Sequence, residues 1–148
     1  MKKLFLLAAI SLLIISCALR PIGSQYSFIK IDVNDVELDS LGNGKILFYN
    51  GADILHRMDN TARLNIWIED KSLGQLRGGE YVIIQLNNAE YNVKLHHQDV
   101  FNMRSEHKVI VNDTVKVIRV EPTITSNKLS VTNELPKKFE KFKYTEAR

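Results

Sequence analysis

The side chains able to do chemistry are few, and their spacing limits what they can do. The single cysteine, Cys17, directly follows Ile14-Ile15-Ser16, so a thiol stands behind a small residue and a branched apolar pair. The thiolate is the strongest nucleophile among common side chains, and Ser16 leaves the adjoining peptide bond accessible to a peptidase. Of the four histidines, His56, His96, His97 and His107, the adjacent pair would face opposite sides of a strand. At most one of that pair joins any site: His97 shares a face with Asp99, and His107 reaches it only across the connection of residues 98–106. A metal needs three or four converging ligands, so no metal ligands are assigned. No Gly-x-Ser-x-Gly turn and no Gly-rich phosphate loop occurs, Gly78-Gly79 is an isolated turn pair, and Glu69-Asp70 reads as a solubilising turn. The chain is read as non-enzymatic, with no cofactor and no catalytic residue.

Four residues are candidates for binding instead. Arg57 and Arg63 bracket a polar connection containing Met58, Asn60 and Thr61, and a guanidinium pairs carboxylates or phosphates bidentately. The plainer reading is an ordinary loop in which Arg57 and Asp59 pair locally. Arg104 lies in a second polar stretch, Asn102-Met103-Arg104-Ser105, with Phe101 beside it as an apolar anchor. Trp67 alternates with Leu64, Ile66 and Ile68, so it faces away from the core side of its strand. Either a second layer or a C-terminal helix covers it, or the indole is open to a partner.

Composition bounds the rest. The 148 residues are 45% hydrophobic and 25% charged with 7 Gly and 3 Pro, which fits one ordinary domain and excludes collagen-like and disordered chains. Lys2 and Lys3 precede an apolar run, residues 4–15, broken only by Ser11. The run is shorter than the roughly 20 residues that span a bilayer, and with its basic start it reads as a signal-peptide helix. Together with Ile14-Ile15-Ser16-Cys17 it resembles the lipobox signal of bacterial lipoproteins. That resemblance implies cleavage after Ser16 and diacylglyceryl transfer to Cys17, followed by N-acylation. The two or three acyl chains, palmitate among them, make a stable anchor. Ala18 in place of Asp implies the outer membrane, facing the periplasm, in a Gram-negative envelope. Without residues 1–16 the chain has 132 residues, 18 basic against 17 acidic. The sequence pI near 9.0 is therefore no nucleic-acid footprint. No thiol remains for a disulfide, so the core alone must hold the fold.

The elements that must position these residues read as short strands. Residues 17–27 form a lipidated Cys and tether, 28–135 a β-sandwich domain, and 136–148 a Lys-rich tail. Strands are expected at 27–33, 45–50, 63–69, 81–86, 91–95, 108–111, 114–121 and 129–132, with 45–50 apolar on both faces. Asn112-Asp113 suits a tight hairpin. Pro136 would open a helix over 137–143 that shares Phe139 and Phe142 on one face, with lysines around them and Glu134, Glu140 and Glu146 interspersed. The expectation is a mainly β, antiparallel sandwich of about seven or eight strands with a short C-terminal helix.

One internal stretch has a further likeness. Leu64-Asn65-Ile66-Trp67-Ile68-Glu69-Asp70, then Leu73-Gly74-Gln75-Leu76, then Gly78-Gly79-Glu80-Tyr81 and the apolar run 82–86 resemble the small PEGA-like β-sandwich domains of bacterial surface and periplasmic proteins. They also resemble an uncharacterised group of short lipoproteins. The likeness implies a meander of strand, turn, short strand, glycine turn and returning strand. Lys71-Ser72 and Ala89 depart from the glycine and Pro-Gly positions of that pattern. The combined expectation is a lipid-anchored, non-catalytic module that binds membrane lipid through its anchor and an envelope protein or polymer through its domain, with no nucleic acid. The alternatives are an inhibitor, immunity-type or secretion-accessory lipoprotein, and a metal- or ligand-binding enzyme using His96, His97 or His107.

Overall fold

A computed structural model of the chain describes residues 19–52 and 62–146. It is mainly β. Nine strands occur among the described residues: β1 Lys45–Asn50, β2 Leu64–Ile68, β3 Lys71–Leu76, β4 Glu80–Gln85, β5 Ala89–Gln98, β6 Asn102–Val111, β7 Val117–Pro122, β8 Asn127–Val131 and β9 Lys143–Tyr144. They form two sheets, a five-stranded one ordered β8-β7-β1-β4-β9 and a four-stranded one ordered β3-β2-β5-β6. The second is antiparallel throughout, whereas β1–β7 and β4–β9 in the first are parallel pairs.

Alternation along the strands builds the shared core. Ile46 and Phe48 of β1, Val82 and Ile84 of β4, and Ile118 and Val120 of β7 meet Leu64, Ile66 and Ile68 of β2 and Val93 and Leu95 of β5. Each such side chain contributes about 1.5–3 kcal/mol on leaving water. Leu73 and Leu76 on β3 are three apart, so strict alternation would send them to opposite faces. The register shifts there, from Ile66 opposite Gly74 to Trp67 opposite Ser72, and Gly74 takes φ +113. This bulge returns both leucines to the core.

The intervening residues of β1 explain why it is apolar on both sides. Leu47 and Tyr49, with Tyr81, Ile83 and Val117, form a second cluster on the outer face of the five-stranded sheet. Ile29, Ile31, Val33, Val36, Leu38 and Leu41 cover it from the N-terminal side, and Leu135, Phe139, Phe142 and Tyr144 from the C-terminal side. Tyr81 packs on Phe139 with centroids 5.0 Å apart, Tyr49 meets Phe142 edge-on at 5.6 Å, and the Tyr81 hydroxyl donates to the Ile31 carbonyl at 2.7 Å.

Four expectations need correction. Residues 27–33 form no strand; Ile29 N–H donates to Ile83 O, but the stretch then closes into a 3-10 turn at Val33–Asp35. The C-terminal helix is absent. Lys138 adopts a left-handed conformation at φ 58, Phe139–Lys141 makes a single 3-10 turn, and the chain then pairs with the open edge of β4. A helix of seven residues is below the length that sustains itself in water. Asn112-Asp113 closes no hairpin: β6 and β7 belong to different sheets, and Asn112 Oδ1 accepts from Thr114 N (2.9 Å) and Oγ1 (2.7 Å) to turn the chain across. For the same reason residues 64–86 make no meander, since only β2 and β3 pair and the chain leaves their sheet at Gly78-Gly79.

Candidate functional site

The four-stranded sheet has a very different outer face. Its two rows of cross-strand partners, Trp67 with Lys94 and Lys94 with Glu106, then Asn65 with His96 and His96 with Arg104, run side by side over β2, β5 and β6. Alternation turns all of these away from the core. All but Asn65, which is buried, line an open groove of about 500 Å³, together with Glu69 and Asp70 at the end of β2 and Ser105 of β6. Trp67 is half-buried in it and Arg104 is exposed.

Polar contacts fix most of the lining. Lys94 Nζ lies 3.4 Å from Asp70 Oδ1; with Asp70 fully in solvent, such a pair contributes at most about 1 kcal/mol. Asn92 Nδ2 donates to Glu106 at 3.1 Å, and its backbone N–H donates to Glu69 Oε1 at 2.6 Å. His96 Nε2 is 3.1 Å from Asn102 Oδ1. Arg104 has no ion-pair or hydrogen-bond partner among the described residues. The groove thus offers an indole face, a guanidinium with its donors unused, an ammonium and carboxylates. That set can stack a flat or apolar group and pair a charged one, and Ser105 adds a hydroxyl to the lining.

The sequence candidates part company here. Trp67 and Arg104 share the groove. Arg63 stands just before β2, half-buried, its Nε enclosed without a hydrogen-bond partner among the described residues, and does not line the groove. Arg57, His56 and Cys17 lie outside the described residues. Residues 102–105 are not a loop but the start of β6, because β5 and β6 pair without interruption up to Gln98 and Asn102. Phe139 and Phe142 cover Tyr49 and Tyr81 rather than Trp67.

The histidines do not converge. His96 faces out, whereas His97 faces in, fully buried, with Nδ1 2.6 Å from Asn127 Oδ1. Asn127 Nδ2 in turn donates to the carbonyls of Leu95 (3.3 Å) and Met103 (3.2 Å), tying β8 to the other sheet. His107 sits opposite Val93, and burial holds its imidazole below the usual histidine pKa. Among the described residues no group of three or more His, Cys, Asp or Glu side chains comes close enough to hold a metal. One pairing escaped the sequence reading: Ser105 Oγ is 2.8 Å from His107 Nε2. Their i, i+2 spacing on a strand was the available sign. No carboxylate among the described residues orients this imidazole, so the pair lacks the third member of a hydrolytic triad.

A second polar network holds residues 19–25, the segment assigned from sequence to a tether. Gln75 Nε2 donates to Leu19 O (3.1 Å), Asn65 Nδ2 to Arg20 O (2.8 Å) and Ser72 Oγ to Gly23 O (2.5 Å), while Gln25 N–H donates to Ser72 O (2.8 Å). The strap closes the β3 edge of the sheet and leaves the Trp67 groove open. Comparison with protein-family models, with curated proteins and with solved structures returns no match.

Proposed function

We propose that the chain is a lipid-anchored, non-catalytic binding module of a bacterial cell envelope, held by acyl chains on Cys17 at the outer membrane and facing the periplasm. Its domain is a β-sandwich, a reading supported by two sheets drawing on one core. The outer face of the four-stranded sheet is the partner site, for an envelope protein or polymer. One observation carries this: the chain covers the apolar outer face of one sheet with segments before β1 and after β8, yet leaves Trp67 and Arg104, which has no partner among the described residues, together in an open groove on the other. Tryptophan and arginine dominate the energetics of interfaces.

Two arms test the reading. Metabolic labelling with a fatty-acid analogue, intact mass and membrane fractionation are applied to the wild type and Cys17→Ala; label and membrane residence in the first alone support the anchor. Envelope cross-linking and pull-down are then compared for the wild type, Trp67→Ala and Arg104→Glu. A partner held by the wild type and lost from both variants supports the site, and equal recovery by all three rejects it.

A further inference from the structure

Three of the most exposed large apolar side chains gather at one end of the molecule. Val100 (81% exposed) and Phe101 (69%) form the turn between β5 and β6, and Ile124 (82%) tips the turn between β7 and β8. The turns are neighbours because Asn127, which closes the β7–β8 hairpin opposite Pro122, bonds to Met103 O and His97. Those two residues face each other one row before the final Gln98–Asn102 pair of β5 and β6. Asp99 N–H donates to Phe101 O at 3.1 Å, tightening the turn so that Val100 and Phe101 project from it.

The chain enters the domain at this same end. Leu19 and Arg20 are bonded to Gln75 and Asn65, and Asn65 is in register with His96, next to the β5–β6 turn. From there residues 19–25 run away from it, toward Ser72. Cys17 precedes Leu19 by two residues, a reach of at most about 7 Å. A lipid on Cys17 therefore leaves no slack, and the membrane holding it lies against the end that carries Val100, Phe101 and Ile124. Beside these turns and the entry point Arg20, Arg77 and Arg104 are exposed against Asp99, while Lys128 lies 3.9 Å from Glu121; the remaining basic excess suits anionic headgroups.

We propose that Val100, Phe101 and Ile124 form a membrane-contact tip that inserts into the interface of the bilayer holding the anchor and fixes the upright orientation of the domain. The proposal rests on the anchor reading above. It assigns the bilayer as occupant because chain entry, apolar tip and basic excess coincide at one end. Ile110, exposed at 66% but paired with Glu90 at the far end of the β5–β6 hairpin, supplies a control on the same two strands.

The full chain is produced in a lipoprotein-processing bacterium, with Trp67→Phe removing the sole tryptophan and either Phe101→Trp or Ile110→Trp restoring one. Each protein is reconstituted in phosphatidylethanolamine/phosphatidylglycerol vesicles with and without acyl-brominated lipid. The expected result is emission from Phe101→Trp that shifts to the blue and falls at least twofold with brominated lipid, while Ile110→Trp is unchanged. An acylated, vesicle-bound chain with both indoles unquenched, or both quenched alike, overturns the tip and leaves the anchor standing. A chain with no lipid by intact mass that stays in the supernatant overturns the anchor reading and the tip with it.

Discussion

The outer faces of the two sheets have met the same physical problem in opposite ways. On the five-stranded sheet, Leu47, Tyr49, Tyr81, Ile83 and Val117 present an apolar surface that cannot stay in water, and the segments before β1 and after β8 fold over it. On the four-stranded sheet the outward positions are Asn65, Trp67, Lys94, His96, Arg104 and Glu106, which tolerate water and remain uncovered apart from the polar strap at β3. The difference teaches where to look for function. A covered face reports how the fold is held, and an uncovered face that still carries a tryptophan reports what the fold presents.

The contrast can be broken most forcefully on the covered side. Phe139→Ala or Phe142→Ala should destabilise by about 3 kcal/mol or more, seen as a lower urea midpoint, because each ring is buried against a tyrosine of the sheet. A loss below about 1 kcal/mol would mean that the C-terminal cover is dispensable. Gln75→Leu probes the strapped part of the other sheet: it removes the donor to Leu19 O and Asn65 Oδ1 and should cost about 1–2 kcal/mol. Faster amide exchange confined to residues 19–25 would localise the effect. Arg104→Ala, on the open face, should change stability by no more than about 0.5 kcal/mol while weakening partner capture.

The smallest effects are protonic. Because burial lowers the pKa of His107 in the folded protein, the unfolded chain takes up its proton first as pH falls. Stability attributable to His107 is complete above about pH 6.5 and declines below it, toward and through the lowered folded value. His107→Gln should flatten that decline, and an NMR titration midpoint at or above 6.5 would contradict it. At the alkaline end, burial, then the charge of Asp32, pushes Tyr81 up to about 12. The unfolded chain ionises near pH 10, so this contribution falls away between there and about 12, and absorbance at 295 nm should show Tyr81 among the late-ionising tyrosines.

The strands were legible wherever alternation or a two-faced apolar run spoke plainly. Residues 45–50 coincide with β1, and residues 63–69 overlap β2 with Trp67 turned away from Leu64, Ile66 and Ile68. What sequence could not show is which sheet each strand joins. The Asn112-Asp113 and Gly78-Gly79 turns look like hairpin closures locally, and only the long-range pairing of β1 with both β4 and β7 sends the chain across at those points. The same limit hid the meeting of Trp67 and Arg104, which depends on β5 lying between β2 and β6. The tail misled because Phe139 and Phe142 satisfy the spacing of one helix face, while the open edge of β4 offered better pairing.

Tyr81 draws on both extremities of the described chain, donating to Ile31 O and packing on Phe139 and Tyr144. In kinetic terms, the central layer depends on contacts distant in sequence, whose loop-closure entropy must be overcome before they stabilise anything. The contacts of Tyr81 with Phe139, Tyr144 and the Thr145 N–H can form only after that segment has been made. Until then the outer face around Tyr81 lacks its C-terminal cover, so a still-growing chain leaves Leu47, Tyr49 and Ile83 open to water and to other unfolded chains.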